Sequence, residues 1–248
     1  GNSDVNFPIH AEQVTAEQIN TVEELKAFDV VIIGAYYSYD ALVTIAPALR
    51  QWVEAGGGLV ASSPIISEAS GTNSYAAPIA DIDAIVPVNT SGYPDYQWTD
   101  SDLLITDSIH PVTQGVADFS VMSTQSAAID SGAMVLGTHD GRPVVVAANI
   151  GAGRSVYLGP SYAESSTGLA DGNADRLPEQ AVLWAAGPEP DTFQVEANAN
   201  DTLTISTATP GDGLWQPAND LDPAITLLGP DGINIATDDN GAADGRNA

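Results

Sequence analysis

Phe28-Asp29-Val30-Val31-Ile32-Ile33-Gly34 reads as a buried strand. Its apolar run is unbroken from Val30 to Ile33, which suits a strand covered on both faces, as in a parallel sheet. A helix is predicted next. Thr44 serves as N-cap, Pro47 falls in the first turn where its missing N–H is tolerated, and Leu49, Trp52 and Val53 share one face. Gly56-Gly57-Gly58 ends that helix with residues able to adopt positive φ. Leu59-Val60-Ala61 is the next strand and runs into the turn Ser62-Ser63-Pro64. Such a β-α-β unit crosses over right-handed in nearly all known sheets.

From Ser67 to Asp100 the chain is irregular and rich in Gly, Pro, Ser and Tyr, as a functional loop or an insertion would be. Strands return at Met134-Val135-Leu136, from Pro143 to Ala148, and from Ser155 to Leu158. Asn149 to Arg154 is a hairpin-like connection between the last two, and His139-Asp140-Gly141 forms the tip of the hairpin before them. A helix from Leu177 to Ala186 stops at Gly187, and Gly187-Pro188-Glu189-Pro190 marks a boundary. Beyond it the apolar period changes to two, in Phe193-Gln194-Val195-Glu196-Ala197 and Thr202-Leu203-Thr204-Ile205-Ser206. Ala224 to Leu228 and Ile233 to Ala236 flank a Gly-Pro-Asp-Gly turn and read as a hairpin. The predicted organisation is an α/β domain over 1–187, a linker at 188–190 and an all-β domain over 191–248.

Charge narrows the partners. Thirty-three acidic residues face six basic ones, Lys26 being the sole lysine, for a formal net charge of −27 over 248 residues. That field repels phosphate backbones and anionic lipid, which argues against nucleic acid and against membrane insertion. It fits either a solvated acidic surface suited to salt or carboxylates that hold divalent cations. The chain has no cysteine, so disulfides, thiolate metal sites and cysteine nucleophiles are excluded. No stretch reaches the roughly 18 apolar residues that span a bilayer. Gly1 stands where a methionine would, and no basic-then-apolar leader follows it, so the sequence is expected to be a mature or excised piece of a longer exported polypeptide.

Two resemblances follow from particular phrases. "FDVVIIG" at 28–34, "LRQWVEAGGGLVA" at 49–61, "HPVTQGV" at 110–116 and "GAGRSVYLGP" at 151–160 resemble the class I glutamine amidotransferase-like family. This implies a flavodoxin-like fold with a mostly parallel sheet flanked by helices, here without its opening strand. Catalysing members of that family place a cysteine on the tight turn after a strand. Ser62 and Ser63 occupy the corresponding turn, so the resemblance implies no amidotransferase activity. "DTFQVEANANDTLTIST", "NDLDPAITLLGPDG" and "ATDDNGAADGRNA" are similar to the bacterial pre-peptidase C-terminal domain, a β-sandwich of secreted proteins that usually continues beyond the point where this chain stops.

Candidate chemistry is sparse. Ser62 or Ser63 is the sharpest enzymatic candidate, with His110 or His139 as base and a carboxylate behind it. The flanking glycines of a nucleophile elbow are absent, Pro64 removes a backbone N–H, and paired serines beside a proline are commonly turn-formers. His110 before Pro111 suits a hydrogen bond that holds its loop, and none of the three histidines has metal-ligand spacing with another. Asp238, Asp239, Asn240 and Asp244 fall in one glycine-rich turn, with Asn219, Asp220 and Asp222 on an earlier loop. Such oxygen-rich turns fit calcium, and the resemblance strengthens that reading; the plain alternative is a solvated loop. Tyr75, Tyr93, Tyr96 and Trp98 in the long loop form either a carbohydrate- or protein-binding face or a set of pins holding the loop to its own domain.

The sequence therefore predicts a non-catalytic structural or binding module of a secreted, bacterial-type surface, matrix or filament protein. Its expected partners are other copies or segments of the parent protein, or an extracellular protein or polysaccharide. The rival readings are accessory domains of a secreted hydrolase or peptidase, and a serine hydrolase using Ser62 or Ser63.

Overall fold

The computed structural model describes residues 9–34, 38–161 and 172–187 and, further on, residues 195, 202, 204, 205, 225–229 and 234–238. The chain divides into two compact units, Gly1–Pro190 and Asp191–Ala248.

In the first unit a 3₁₀ turn, Ala16–Gln18, precedes the short helix α1 (Val22–Leu25). Thr21 caps α1 by accepting from the Glu24 amide while Glu24 reaches back to the Thr21 amide, a reciprocal capping box. Strand β1 (Val30–Ile33) leads to helix α2 (Tyr39–Glu54) and strand β2 (Gly58–Ser62). The N-cap of α2 is Ser38, whose Oγ accepts from the Ala41 amide, rather than Thr44. Pro47 thus lies inside the helix, where it forfeits one ladder bond. Leu42, Ile45, Ala46, Leu49, Trp52 and Val53 form one continuous buried face, and that burial outweighs the lost bond.

The stretch expected to be irregular carries helices α3 (Ile65–Ala69) and α4 (Ala80–Asp83) and strand β3 (Asp95–Gln97). There follow β4 (Ser101–Ile105), β5 (Phe119–Val121), β6 (Thr124–Ser126), β7 (Met134–His139), β8 (Arg142–Ile150) and β9 (Gly153–Leu158). Helix α5 (Gly172–Ala186) closes the unit.

Seven strands form one sheet in the order β1-β2-β9-β8-β7-β4-β5, and β3 pairs with β6 in a separate two-stranded ribbon. The α/β character is as expected, but the sheet is mixed rather than mostly parallel. Only β1–β2 and β2–β9 are parallel; β9–β8, β8–β7, β7–β4 and β4–β5 are antiparallel. Helices cover both faces, so buried runs such as Val144–Ala148 are apolar whichever way the strands point. On one face α2 packs through Leu49, Trp52 and Val53 over Leu59, Ala61, Val146 and Tyr157. On the other, Leu177, Ala181 and Ala185 of α5 meet Val60, Val145, Ala147, Val156 and Leu158. Gly153 opens β9 where a Cβ would overlap the carbonyl oxygens of Val53 and Gly57. Glycine there lets the sheet meet the end of α2 at backbone distance. Among the described residues no helix is long and apolar enough to cross a membrane.

In the second unit the described strands β10 (Ile225–Leu228) and β11 (Asn234–Asp238) pair antiparallel, with an irregularity between Leu227 and Leu228. This is the predicted hairpin. The sandwich expected around it lies outside the described residues.

Candidate binding face

The β3–β6 ribbon organises the site. Its register places Asp95 beside Ser126, Tyr96 beside Gln125 and Gln97 beside Thr124. Alternation along the strand gives Tyr96 one face of the ribbon, and Trp98, two residues on, follows the same direction. Their rings lie 5.9 Å apart and nearly parallel, at 12°. Tyr93 meets Tyr96 edge-on, also with centroids 5.9 Å apart. Trp98 is 71 % exposed and Tyr93 67 % exposed, whereas Tyr96 is half-buried. The row is anchored through its middle member and open at both ends. Tyr75, the fourth predicted aromatic, is fully exposed and has no ring contact with this row.

Tyr93 also borders a pocket of about 430 Å³ lined by Asn89, Gly92, Asp95, Ser126, Ala127, Ala128, Arg142 and Pro143. Asn89 Oδ1 accepts from the amides of Ser91 and Gly92 and from the Ser91 hydroxyl, which shapes the turn below Tyr93. Arg142 Nε forms an ion pair with Asp95 Oδ2, joining the first residue of β8 to the first of β3. Both side chains are about half exposed, so the pair adds little to stability. It does set a donor and an acceptor side by side at the pocket wall.

Behind the ribbon a polar chain ties it to the main sheet. Thr124 Oγ1 donates to Gln97 Oε1 and lies 2.9 Å from His139 Nδ1. His139 Nε2 lies 2.7 Å from Ser101 Oγ, which also donates to Asp140 Oδ1. The hydroxyls of Ser101 and Thr99 hold the Asp140 carboxyl below its usual range, and the Arg142 guanidinium acts in the same direction. Asp140 adopts φ +49°, and with Gly141 it forms the tight tip that sets His139 opposite Arg142.

The other predicted residues fall elsewhere. Ser62 and Ser63 are buried; Ser62 Oγ faces the carbonyls of Ile33 and Ser63, and the Ser63 amide donates to Leu158. Among the described residues neither hydroxyl meets a histidine or a carboxylate, so the nucleophile–base–acid arrangement is not assembled there. His110 holds its own loop: its Nδ1 accepts from the Val112 amide and its ring packs 5.0 Å from Trp184. Burial, with Arg154 beside it, pushes the His110 pKa down against the opposing pull of Asp107. Of the proposed calcium ligands only Asp238 is described, exposed at the end of β11. Asn219, Asp220, Asp222, Asp239, Asn240 and Asp244 lie outside the described residues. Among the described residues no group of three His, Asp or Glu side chains is placed to hold a metal ion.

Of the residues at this face, the sequence singled out Tyr93, Tyr96 and Trp98, which the structure brings together, and did not single out Asp95, Ser126 or Arg142. The aromatic residues cluster within one short segment, whereas the polar wall is assembled by pairing between distant strands.

Residues 6–190 match the family described as the lacto-N-biose phosphorylase central domain. A comparison with curated protein sequences returns no match. Among solved structures, the cytoplasmic protein STM3548 from Salmonella typhimurium aligns at 14% identity over 67% of this chain and 75% of its own, with a TM-score of 0.56. A ThuA-like protein from Bacteroides uniformis aligns at 17% identity over 67% of this chain and 72% of its own, TM-score 0.48. A β-galactosidase from Bacillus circulans sp. alkalophilus aligns at 17% identity over 68% of this chain and 25% of its own, TM-score 0.43. The family match and the fold shared with STM3548 overturn the resemblance to a glutamine amidotransferase-like domain followed by a pre-peptidase C-terminal domain. Of the phrases that carried the first half of it, those at 28–34 and 49–61 fall in the β1–α2–β2 entry, that at 151–160 forms β9 parallel to β2, and that at 110–116 lies between β4 and β5; beyond β9 the sheet continues antiparallel.

Proposed function

This chain belongs to the lacto-N-biose phosphorylase central-domain family, and on that footing we propose that it is a non-catalytic, carbohydrate-binding module of a longer exported protein. The observation that carries the reading is the row Tyr93, Tyr96 and Trp98, with its two outer rings open to solvent. Large aromatic rings held in a fixed row and left exposed are unfavourable in water unless a partner covers them. A pyranose ring is suited to do so, because it presents a flat C–H face to the ring and hydroxyls at its rim. The net charge of −27 favours neutral glycans over polyanionic ones. The family's description names the central domain of a sugar phosphorylase, which agrees with a role beside carbohydrate chemistry.

Affinity electrophoresis through gels containing galactan, mannan or xylan tests the proposal. Retardation by at least one of these is expected, together with its loss in Trp98→Ala at an unchanged melting temperature. Equal mobility in all gels would remove the reading.

A second reading, assembly with further copies of the chain, is favoured by one observation. β1 is an outer strand of the seven-stranded sheet, and Ile32 on it is exposed. Outer strands template pairing with another chain. Light scattering of the purified chain separates the two readings: a monomer at all concentrations disposes of the second.

A further inference from the structure

We propose that the pocket beside Tyr93 is a subsite for one neutral sugar ring at the end of a glycan, read by Asp95, Arg142 and Ser126. The inference rests on the carbohydrate reading above and adds to it a site distinct from the Tyr96–Trp98 face. Strand alternation supports that separation, since Asp95 and Ser126 are register partners and lie on the ribbon face opposite Tyr96. Tyr93 borders the pocket and also contacts Tyr96, so it joins the two.

Three observations set the ligand class. The first is volume: about 430 Å³ lies within the range of small-ligand pockets and leaves room for a hexose ring with its hydroxyls. The second is the lining, which is apolar where Ala127 and Pro143 lie, aromatic at Tyr93 and polar along one wall. A pyranose has the same division between its C–H faces and its hydroxyl rim. The third is the state of the polar wall. Arg142 is ion-paired with Asp95 through Nε and Oδ2, and its terminal nitrogens remain as donors and Asp95 Oδ1 as an acceptor. Adjacent hydroxyls of a sugar each donate and accept, so a carboxylate and a guanidinium side by side can read two of them at once. Ser126 lines the pocket at 3 % exposure, and its hydroxyl makes no hydrogen bond to another described residue. Ser126 Oγ is not among the buried unpaired atoms, so it faces the pocket, where a sugar hydroxyl could replace the water that pairs it.

The charges exclude other occupants. Arg142 is matched by Asp95, so the pocket offers no uncompensated cation for a phosphate or a uronate. The surrounding field of −27 opposes both.

Saturation-transfer NMR with free galactose, glucose and mannose, alongside glucuronate and galacturonate, tests this on the full chain. At least one neutral hexose should bind saturably, and the uronates should bind at least about tenfold more weakly. Asp95→Asn keeps the shape and removes the charge, and should weaken that hexose about tenfold; Ser126→Ala should weaken it about fivefold. Trp98→Ala should abolish retention by polysaccharide gels. Retention by the gels without saturable binding of any hexose would overturn the subsite and leave the module reading intact. Preference for a uronate, or wild-type affinity in both Asp95→Asn and Ser126→Ala, would also overturn it. Loss of gel retention and hexose binding together in the unmodified chain would overturn both.

Discussion

His139 Nε2 stands 2.7 Å from Ser101 Oγ, although the two residues lie on different strands and the imidazole is fully buried. The other ring nitrogen meets Thr124 Oγ1, so one side chain links β7 to β4 and to the ribbon strand β6. Through Thr124 and Gln97 the link reaches β3, which carries Tyr96 and Asp95. A binding face on a two-stranded ribbon needs such support, because an isolated hairpin is marginally stable in water.

Replacing His139 with alanine should therefore cost about 2–4 kcal/mol, combining a cavity with the loss of the two ring contacts to Ser101 and Thr124. His139→Gln should recover part of that loss, since an amide can still donate and accept. Urea unfolding of the two variants against the parent provides the measurement. Equal midpoints for parent and His139→Ala would show that the buried chain does not support the ribbon.

Gly153→Ala should destabilise by about 2–3 kcal/mol or prevent folding, because the added methyl meets carbonyl oxygens of Val53 and Gly57 rather than a side chain that can move. Gly92→Ala is the matched control. There the nearest atom is Asn89 Oδ1 at 3.5 Å, ordinary contact, and thermal melting should change little.

These elements also show what the sequence could carry. The strand at Val30–Ile33, the stop at Gly56 to Gly58, the Asp140-Gly141 tip and the turn through Gly151 each depend on neighbours in the chain, and each is where local chemistry puts it. The start of α2 was hidden by Pro47, since a proline argues locally for a helix beginning just before it. The direction of the strands was hidden by burial. Val144–Ala148 is apolar because α2 and α5 cover both faces, and that pattern does not distinguish parallel from antiparallel neighbours. At the site the rings were legible as a cluster of aromatics. Arg142 and Asp95 were not, because only the pairing of β3 with β6 and of β7 with β8 brings them together.

Acid should erode stability from the carboxylates that the fold holds ionised. Backbone amides of Ile109 and His110 hold the Asp107 carboxyl below its ordinary 3.8, and the Ser101 and Thr99 hydroxyls do the same for Asp140. A lowered folded pKa gives stability that is present above the ordinary value and lost as pH falls through the lower, folded one. Melting temperature should thus decline below about pH 4, and more shallowly in Asp107→Ala, which starts lower at neutral pH. Parallel curves for parent and variant would contradict this assignment.

Asp130 has the opposite sign. Burial, reinforced by the nearby charge of Asp83, pushes its pKa above 3.8. Asp83 is committed as acceptor to the amide and hydroxyl of Thr90, so it cannot turn away to relieve the repulsion. A carboxyl with a raised folded pKa favours the folded state fully only below its unfolded pKa, and that contribution is lost as pH rises through the folded value. At neutral pH the folded chain thus carries a charge it would be more stable without. Asp130→Asn keeps the main-chain bonds that Asp130 makes with Pro87 and Ala133, because both use backbone atoms. It should raise the melting temperature at pH 7 by about 1–2 °C, the scale of a partly exposed charge in a chain of this size. The gain should vanish near pH 3, where the parent carboxyl is protonated as well. Scanning calorimetry of parent and variant at the two pH values decides it: a gain that persists at pH 3 would assign the effect to packing, and a loss at pH 7 would show that the carboxylate has a favourable partner.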